Sequence, residues 1–134
     1  RIDLLKLRNV QDRIIGNFPN SPMVSVSKRF DDFMLDARQL QPLGIIVNEL
    51  LTNTMKYAFA GRTHGTITVS ALLADGTVMV SIADDGIGLP AGFSLERSNG
   101  FGLQLVHGLM QQLRGTMRME NCAGTRVELE FHPS

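Results

Sequence analysis

Apolar and polar positions along the chain change period several times. From about residue 2 to 16, Leu4, Leu7, Val10, Ile14 and Ile15 recur at three- and four-residue spacing, which predicts a first helix. The Pro19-Asn20-Ser21-Pro22 cluster ends it. Val24 to Phe30 alternates as a strand does, and a short strand is expected near Phe33 to Leu35. Asp36, with Gln39 three residues on, has the form of a capping box. Because proline is tolerated only in a helix's first turn, Pro42 predicts that the main helix begins there and runs to about Ala58. Gly65 to Leu73 and Thr77 to Asp84 are β-rich runs joined by Ala74-Asp75-Gly76, a hairpin signature. Asp85 to Asn99 holds four turn-forming residues, Gly86, Gly88, Pro90 and Gly92, and reads as a loop. Phe101 to Arg114 is apolar at Leu103, Val106, Leu109, Met110 and Leu113, so a helix is expected. Thr116 to Glu120 and Thr125 to Phe131 form a closing hairpin that turns at Asn121-Cys122-Ala123-Gly124.

Strands joined by hairpins, with the helices elsewhere, point to the α+β class: a two-layer α/β sandwich with about five strands and about three helices, not a doubly wound parallel sheet. The 134 residues are enough for one domain with a real core. The formal net charge is zero and the charges are scattered, which argues against a dedicated nucleic-acid surface. Cys122 is the one cysteine, so no internal disulfide forms and a reducing compartment fits. No stretch has the length of a membrane span, and the N-terminus is not a signal peptide. The chain opens at Arg1-Ile2-Asp3 without an initiator Met, and the expectation is a piece of a longer protein.

Four short segments carry chemistry. Glu49 and Asn53 are four apart and share one helix face. A neutral amide oxygen together with nucleotide phosphates is a sensible ligand set for Mg²⁺, which takes few protein ligands and keeps several waters. Glu49 can orient or deprotonate a metal-bound water, Lys56 can meet phosphate as a point charge, and Tyr57 can cover an adenine face. The plainer reading of the same segment is a solvated Glu and Lys around a hydrogen-bonded Asn. Asp84 ends a run that reads as buried strand, and its carboxylate can accept from an exocyclic amine such as adenine N6. Gly86 and Gly88 let backbone pass close to a flat base, although Asp-Gly is also an ordinary turn. Gly100-Phe101-Gly102 precedes a helix, whose free N–H groups suit an anion or simply mark a glycine-rich helix entry. Thr125 follows Gly124 where the last strand begins; its hydroxyl can bridge Asp84 and a base, or the pair is a plain turn-to-strand junction. There is no P-loop, no dinucleotide fingerprint and no histidine pair at metal-ligand spacing.

Taken in order, these segments resemble the ATP-binding domain of the GHKL superfamily, named after gyrase, heat-shock chaperone, histidine kinase and mismatch-repair protein. Asn48 to Phe59 resembles its N box, Asp84 to Gly88 the G1 box, Gly100 to Leu103 the G2 box, and Gly124-Thr125 the last glycine element. The likeness spans about residues 36 to 131 and is finest to bacterial sensor histidine kinases. Asn48-Glu49-Leu50, Lys56-Tyr57-Ala58-Phe59, Asp85-Gly86-Ile87-Gly88-Leu89-Pro90 and Gly102-Leu103-Gln104-Leu105-Val106 look like the branch beside the HWE kinases. The chain has no Trp, so it stands next to that group rather than within it.

The resemblance implies a Bergerat-type fold, with a mixed sheet and the helices on one of its faces. It implies that ATP and Mg²⁺ bind. Asp84 would take adenine N6 with Thr125 in support, Tyr57, Ile87 and Leu89 would wall the base, and Gly86 and Gly88 would line it. Asn53 would hold Mg²⁺, with Glu49 as the catalytic carboxylate beside it. Lys56, Gly100, Gly102 and Leu103 would contact phosphates. A His on a separate dimerisation domain of the parent kinase would receive the γ-phosphate and pass it to a response regulator. Residues 1–20 would be a helix or linker from that domain, and 21–134 the catalytic domain, cytoplasmic and without membrane contact of its own. No phosphoacceptor His box is recognisable, and the short Gly88–Gly100 interval implies a small ATP lid. The rival readings are a serine kinase of the anti-sigma-factor type, a conformational ATPase, and a degenerate docking domain without catalysis.

Overall fold

Alternating apolar residues give this chain a sheet with one dry face, and two amphipathic helices cover it. The computed structural model describes residues 2–3, 23–58, 64–88, 103–121 and 123–133. Along the chain run β1 (Ile2–Asp3), β2 (Met23–Phe30), β3 (Met34–Leu35), α1 (Ala37–Asn53) with a π-helical turn (Thr54–Ala58), β4 (His64–Ala74) and β5 (Thr77–Asp84). They are followed by α2 (Leu103–Gln112), β6 (Thr116–Asn121) and β7 (Thr125–Phe131). Five strands hydrogen-bond in the order β2-β4-β5-β7-β6, and β1 and β3 form a separate two-stranded ladder.

β2 is parallel to β4, and the other neighbours in the large sheet are antiparallel. A parallel pair needs a crossover, and α1 supplies it. Ile67, Val69 and Ala71 of β4, Val78, Val80 and Ile82 of β5, and Val127, Leu129 and Phe131 of β7 are buried. They face Leu43, Ile46, Val47, Leu50 and Leu51 of α1 and Val106 and Met110 of α2. Burying one such Leu or Ile side chain contributes roughly 1.5–3 kcal/mol. The other sheet face is polar and carries cross-strand ion pairs between Arg118 and Glu128 and between Arg126 and Glu120. The result is the two-layer α+β sandwich with a five-stranded mixed sheet that the pattern implied.

Several boundaries differ from the expectation. Ile2 and Asp3 are strand, paired with Leu35 and Met34, because the β3 backbone offers them an antiparallel partner. The rest of the helix expected over 2–16 lies outside the described residues, so two of the three expected helices are seen. The main helix starts at Ala37, well before Pro42. Asp36 is its N-cap: Oδ1 accepts from the Arg38 N–H at 2.9 Å, and hydrogen bonding from the Arg38 guanidinium holds this carboxyl below its ordinary range. Pro42 therefore sits in the second turn, where it is buried. Gln39, expected to complete the capping box, is buried and donates from Nε2 to the His132 carbonyl at 2.9 Å, tying the helix start to the end of β7. The hairpin between β4 and β5 turns on Asp75 and Gly76 alone, with φ of 52° and 75°, the signs of a type I′ turn.

α2 ends in a Schellman motif. The Gly115 N–H donates to Met110 O and the Arg114 N–H to Gln111 O, both at 3.0 Å. The left-handed residue is Arg114, with φ of 55°, not the glycine that follows it. Gly115 is required one place later because a Cβ there would overlap the Glu130 carbonyl. Arg114→Gly should therefore raise stability by about 0.5–1 kcal/mol, read as a higher urea midpoint at unchanged m-value.

Candidate functional site

Cross-strand pairing settles which side chains meet at the end of the sheet. Asn121 pairs with Thr125, Thr125 with Asp84, and Asp84 with Ile67. Directly paired residues project to the same face. Two residues further along each strand are Met119, Val127, Ile82 and Val69, all in or against the core. Asp84, Thr125 and Asn121 thus stand on the helix-facing side, at the rim of the hydrophobic layer. Asp84 is half-buried, and its Oδ1 accepts from the Gly86 N–H at 2.8 Å and from the Thr125 N–H at 3.3 Å. Two backbone donors on one oxygen fix the carboxylate's direction.

The loop after β5 is pinned on three sides. Asp85 Oδ1 accepts from the Thr66 N–H at 2.8 Å, while the Asp85 N–H donates to Thr66 O at 3.3 Å. The Ile87 N–H donates to Ala58 O at 2.8 Å, which satisfies a carbonyl that the helix end leaves without an internal partner. Gly86 lies against the same carbonyl so closely that a Cβ there would overlap it. A Cβ on Gly124 would likewise overlap the carbonyl of Asp84. Ile87, by contrast, is 59% exposed, an apolar side chain standing on a glycine loop.

The end of the main helix reaches this loop through Ala58. Glu49 and Asn53 are both half-buried and one turn apart, as the spacing implied. Immediately beyond Asn53 the helix widens into the π turn, not the continuous α-helix to Ala58 that was expected. At the junction the Thr54 hydroxyl donates to Leu50 O at 3.0 Å, and the Thr54 N–H is shared between Leu50 O and Leu51 O. π turns recur at functional sites because they re-aim side chains within a helix. The backbone of Lys56 and Tyr57 lies on this turn, and Leu103 is the first residue of α2. Leu89, Gly100 and Gly102 lie outside the described residues, as do the side chains of Lys56, Tyr57 and Leu103.

The donor set suits Mg²⁺ better than a transition metal. Among the described residues no three His, Cys, Asp or Glu side chains cluster. A carboxamide and one carboxylate on adjacent helical turns match a cation that takes most of its ligands from phosphate and water. A separate cleft of about 600 Å³ between the start of α1 and the end of α2 is lined by Arg38, Pro42, Ile45, Leu109 and Arg114, away from these groups. No helix among the described residues is long and apolar enough to cross a membrane.

Two contributors had escaped the sequence. Asp85 was read as part of a loop, yet it anchors that loop to β4. Asn121 was read as hairpin turn; it ends β6, directly across from Thr125. The signal for Asn121 was its place four residues before Thr125 in a hairpin, which brings it across the turn onto the same row.

Comparison with known proteins gives this geometry its context. The family model of histidine kinase-, DNA gyrase B- and HSP90-like ATPases matches residues 39–134. The sensor histidine kinase PdtaS of Mycolicibacterium smegmatis is 38% identical over 133 residues, covering 93% of this chain and 27% of that protein. An anti-sigma F factor of Geobacillus kaustophilus is 26% identical over 105 residues, covering 70% of each chain. In fold, the blue-light-activated histidine kinase EL346 of Erythrobacter litoralis superposes with a TM-score of 0.88 at 23% identity, over 96% of this chain and 41% of that one. The chain thus spans about a quarter of the length of its PdtaS relative.

Gly86→Ala should displace the loop from Ala58. The expected outcome is a loss of about 1–3 kcal/mol in unfolding free energy, measured by denaturant titration, with changed amide shifts at Ile87 and Asp84 by NMR.

Proposed function

This chain belongs to the family of histidine kinase-, DNA gyrase B- and HSP90-like ATPases, as an ATP-binding domain of the sensor histidine kinase kind, and on that premise we propose that it binds Mg-ATP and supplies the γ-phosphate for transfer to a protein histidine. The observation that carries the proposal is the Asp84 carboxylate, fixed by two backbone N–H groups beside Thr125 and under a loop whose glycines press against Ala58 and Asn121. A directed acceptor at a strand end suits adenine N6, and the exposed Ile87 gives the base an apolar surface. In this reading Thr125 supports Asp84, Gly86 and Gly88 admit the base edge, and Tyr57 and Leu89 complete the wall.

Asn53 would hold the metal through its amide oxygen, and Glu49, one turn away, would orient the water around it. When bound, Mg²⁺ supplies charge neutralisation on the phosphates. Lys56 and the start of α2 at Leu103, preceded by Gly100 and Gly102, would bind phosphate oxygens through an ammonium and free N–H groups. The transfer itself breaks the bond from the γ-phosphorus to the ADP oxygen and forms one to an imidazole nitrogen. This chain's work in that step is alignment of the phosphates and burial of the base.

The acceptor histidine is assigned to a dimerisation domain of the parent protein, to which residues 1–20 would lead, and the phosphoryl group then goes to a response regulator. The same proposal puts the domain where ATP is, in the cytoplasm. One observation favours a second reading, phosphorylation of a partner's serine: the similarity to an anti-sigma F factor over 70% of the chain. Acid lability of the phosphorylated product separates the two, since phosphohistidine is lost in acid and phosphoserine is kept.

Calorimetric titration with a non-hydrolysable ATP analogue, with and without Mg²⁺, tests the reading. Saturable binding strengthened by Mg²⁺ is expected, and no binding at millimolar nucleotide would point to a degenerate docking domain. Asp84→Asn keeps an oxygen for Gly86 and Thr125 but turns an amide toward the base, so affinity should fall about 10- to 100-fold with the melting temperature nearly unchanged. Asn53→Ala should leave Mg²⁺-free binding in place and abolish its enhancement by the metal. An enhancement that survives in this variant would remove Asn53 from the metal site.

A further inference from the structure

The cleft between the start of α1 and the end of α2 has a volume of about 600 Å³, within the size range of small-molecule sites. Among its lining residues Pro42 and Leu113 are buried, Leu109 is half-buried and Ile45 is exposed. Arg38 and Arg114 line it too, and no described lining residue is acidic. A chain with as many acidic as basic residues thus brings two guanidiniums and no carboxylate to this one cleft. Neither guanidinium is used up. Asp36 accepts from Nε and Nη2 of Arg38, one edge of the fork, which leaves the Nη1 N–H groups for another acceptor. The Arg114 side chain has no hydrogen bond or ion pair among the described residues. Its backbone is left-handed, with φ of 55°, a position where stability alone favours glycine or asparagine. The last turn of α2 holds no basic residue, so cations are not otherwise used to stabilise this helix end.

We infer that this cleft is a second ligand site, separate from the nucleotide site, for a small organic anion: its acid group meets Arg38 and Arg114, and its apolar body lies on Pro42, Ile45, Leu109 and Leu113. A guanidinium presents a planar fork of donors that matches the oxygens of a carboxylate, sulfonate or phosphate. The buried apolar residues offer a floor that a bare inorganic anion would leave uncovered. The opposite ends of the same two helices carry Asn53 and Leu103, so this ligand and a nucleotide occupy different places and do not compete. The inference does not rest on the nucleotide reading.

The test is a fluorescence titration of the whole chain with two probes: anilinonaphthalene sulfonate, and phenylnaphthylamine, the same aromatic body without the acid group. The sulfonate should saturate, and it should do so equally with and without a non-hydrolysable ATP analogue. By NMR it should move the amide signals of Ile45, Leu109 and Arg114 and leave those of Asp84 and Gly86 in place. Phenylnaphthylamine should bind about tenfold more weakly. Arg38→Gln combined with Arg114→Gln should weaken the sulfonate about tenfold and leave phenylnaphthylamine unaffected. Arg114→Gly, the variant expected to be more stable, should still lose about threefold in sulfonate affinity, a loss that no folding defect explains. Equal affinity for the two probes, sulfonate affinity unchanged in the double variant, amide shifts confined to Asp84 and Gly86, or no saturation at millimolar sulfonate each overturns the inference. Failure of the ATP analogue to bind overturns the nucleotide reading alone, because the shifts at Leu109 and Arg114 and the arginine variants are read without it.

Discussion

The carbonyl oxygen of Ala58 rests on Gly86, and the carbonyl of Asp84 rests on Gly124, each too closely for any side chain to intervene. These two backbone contacts join the end of α1 to the end of β5, and β5 to β7. Without them the loop after Asp84 would have no fixed path. With them, Ile87 bonds Ala58, Asp85 bonds Thr66, and Asp84 is aimed by Gly86 and Thr125. The candidate site is therefore made mostly of main chain, and the few side chains proposed to act there are placed by how closely backbones approach one another.

The rest of the fold serves that approach. α1 is held at its start by the Asp36 cap and the Gln39–His132 bond, and along its length by an apolar stripe from Leu40 to Leu51. Its axis is thus fixed before the chain reaches Asn53. β5 sits at the centre of the sheet, bonded to β4 on one side and β7 on the other. A carboxylate at the end of such a strand cannot drift relative to the helix layer unless the core moves too. The π turn then delivers the backbone of Ala58 to the loop at the angle that the Ile87 bond needs.

Much of this was legible in the sequence because periodicity reports burial. The five strands, both described helices and the Asp75-Gly76 turn follow from alternation, three- and four-residue spacing and turn chemistry. That Asp84, Gly86 and Thr125 come together also follows from the sequence, because a strand end, a glycine turn and a hairpin bring them to one edge of the sheet. What was not legible depended on tertiary partners. Pro42 misled because its burial in the second turn depends on packing that the local pattern does not carry. Ile2 and Asp3 became strand through a partner some thirty residues away. The π turn after Asn53 has no signature in the hydrophobic pattern. Asn121 looked like turn chemistry until the register put it opposite Thr125.

The parallel pairing of β2 with β4 has a consequence for how Asp84 and Asn53 are secured. β4 and β5 close over a two-residue turn, so bringing Thr66 beside Asp85 costs little chain entropy. β2 and β4 pair only across the intervening residues 31–63, which include the whole of α1. The strand that carries Asp84 thus has one neighbour near in sequence, β4, and one distant neighbour, β7. The helix that carries Glu49 and Asn53 depends on long-range closure of the crossover. A lesion in β2 would loosen the crossover that carries α1 first and leave the β4–β5 hairpin close to its native form.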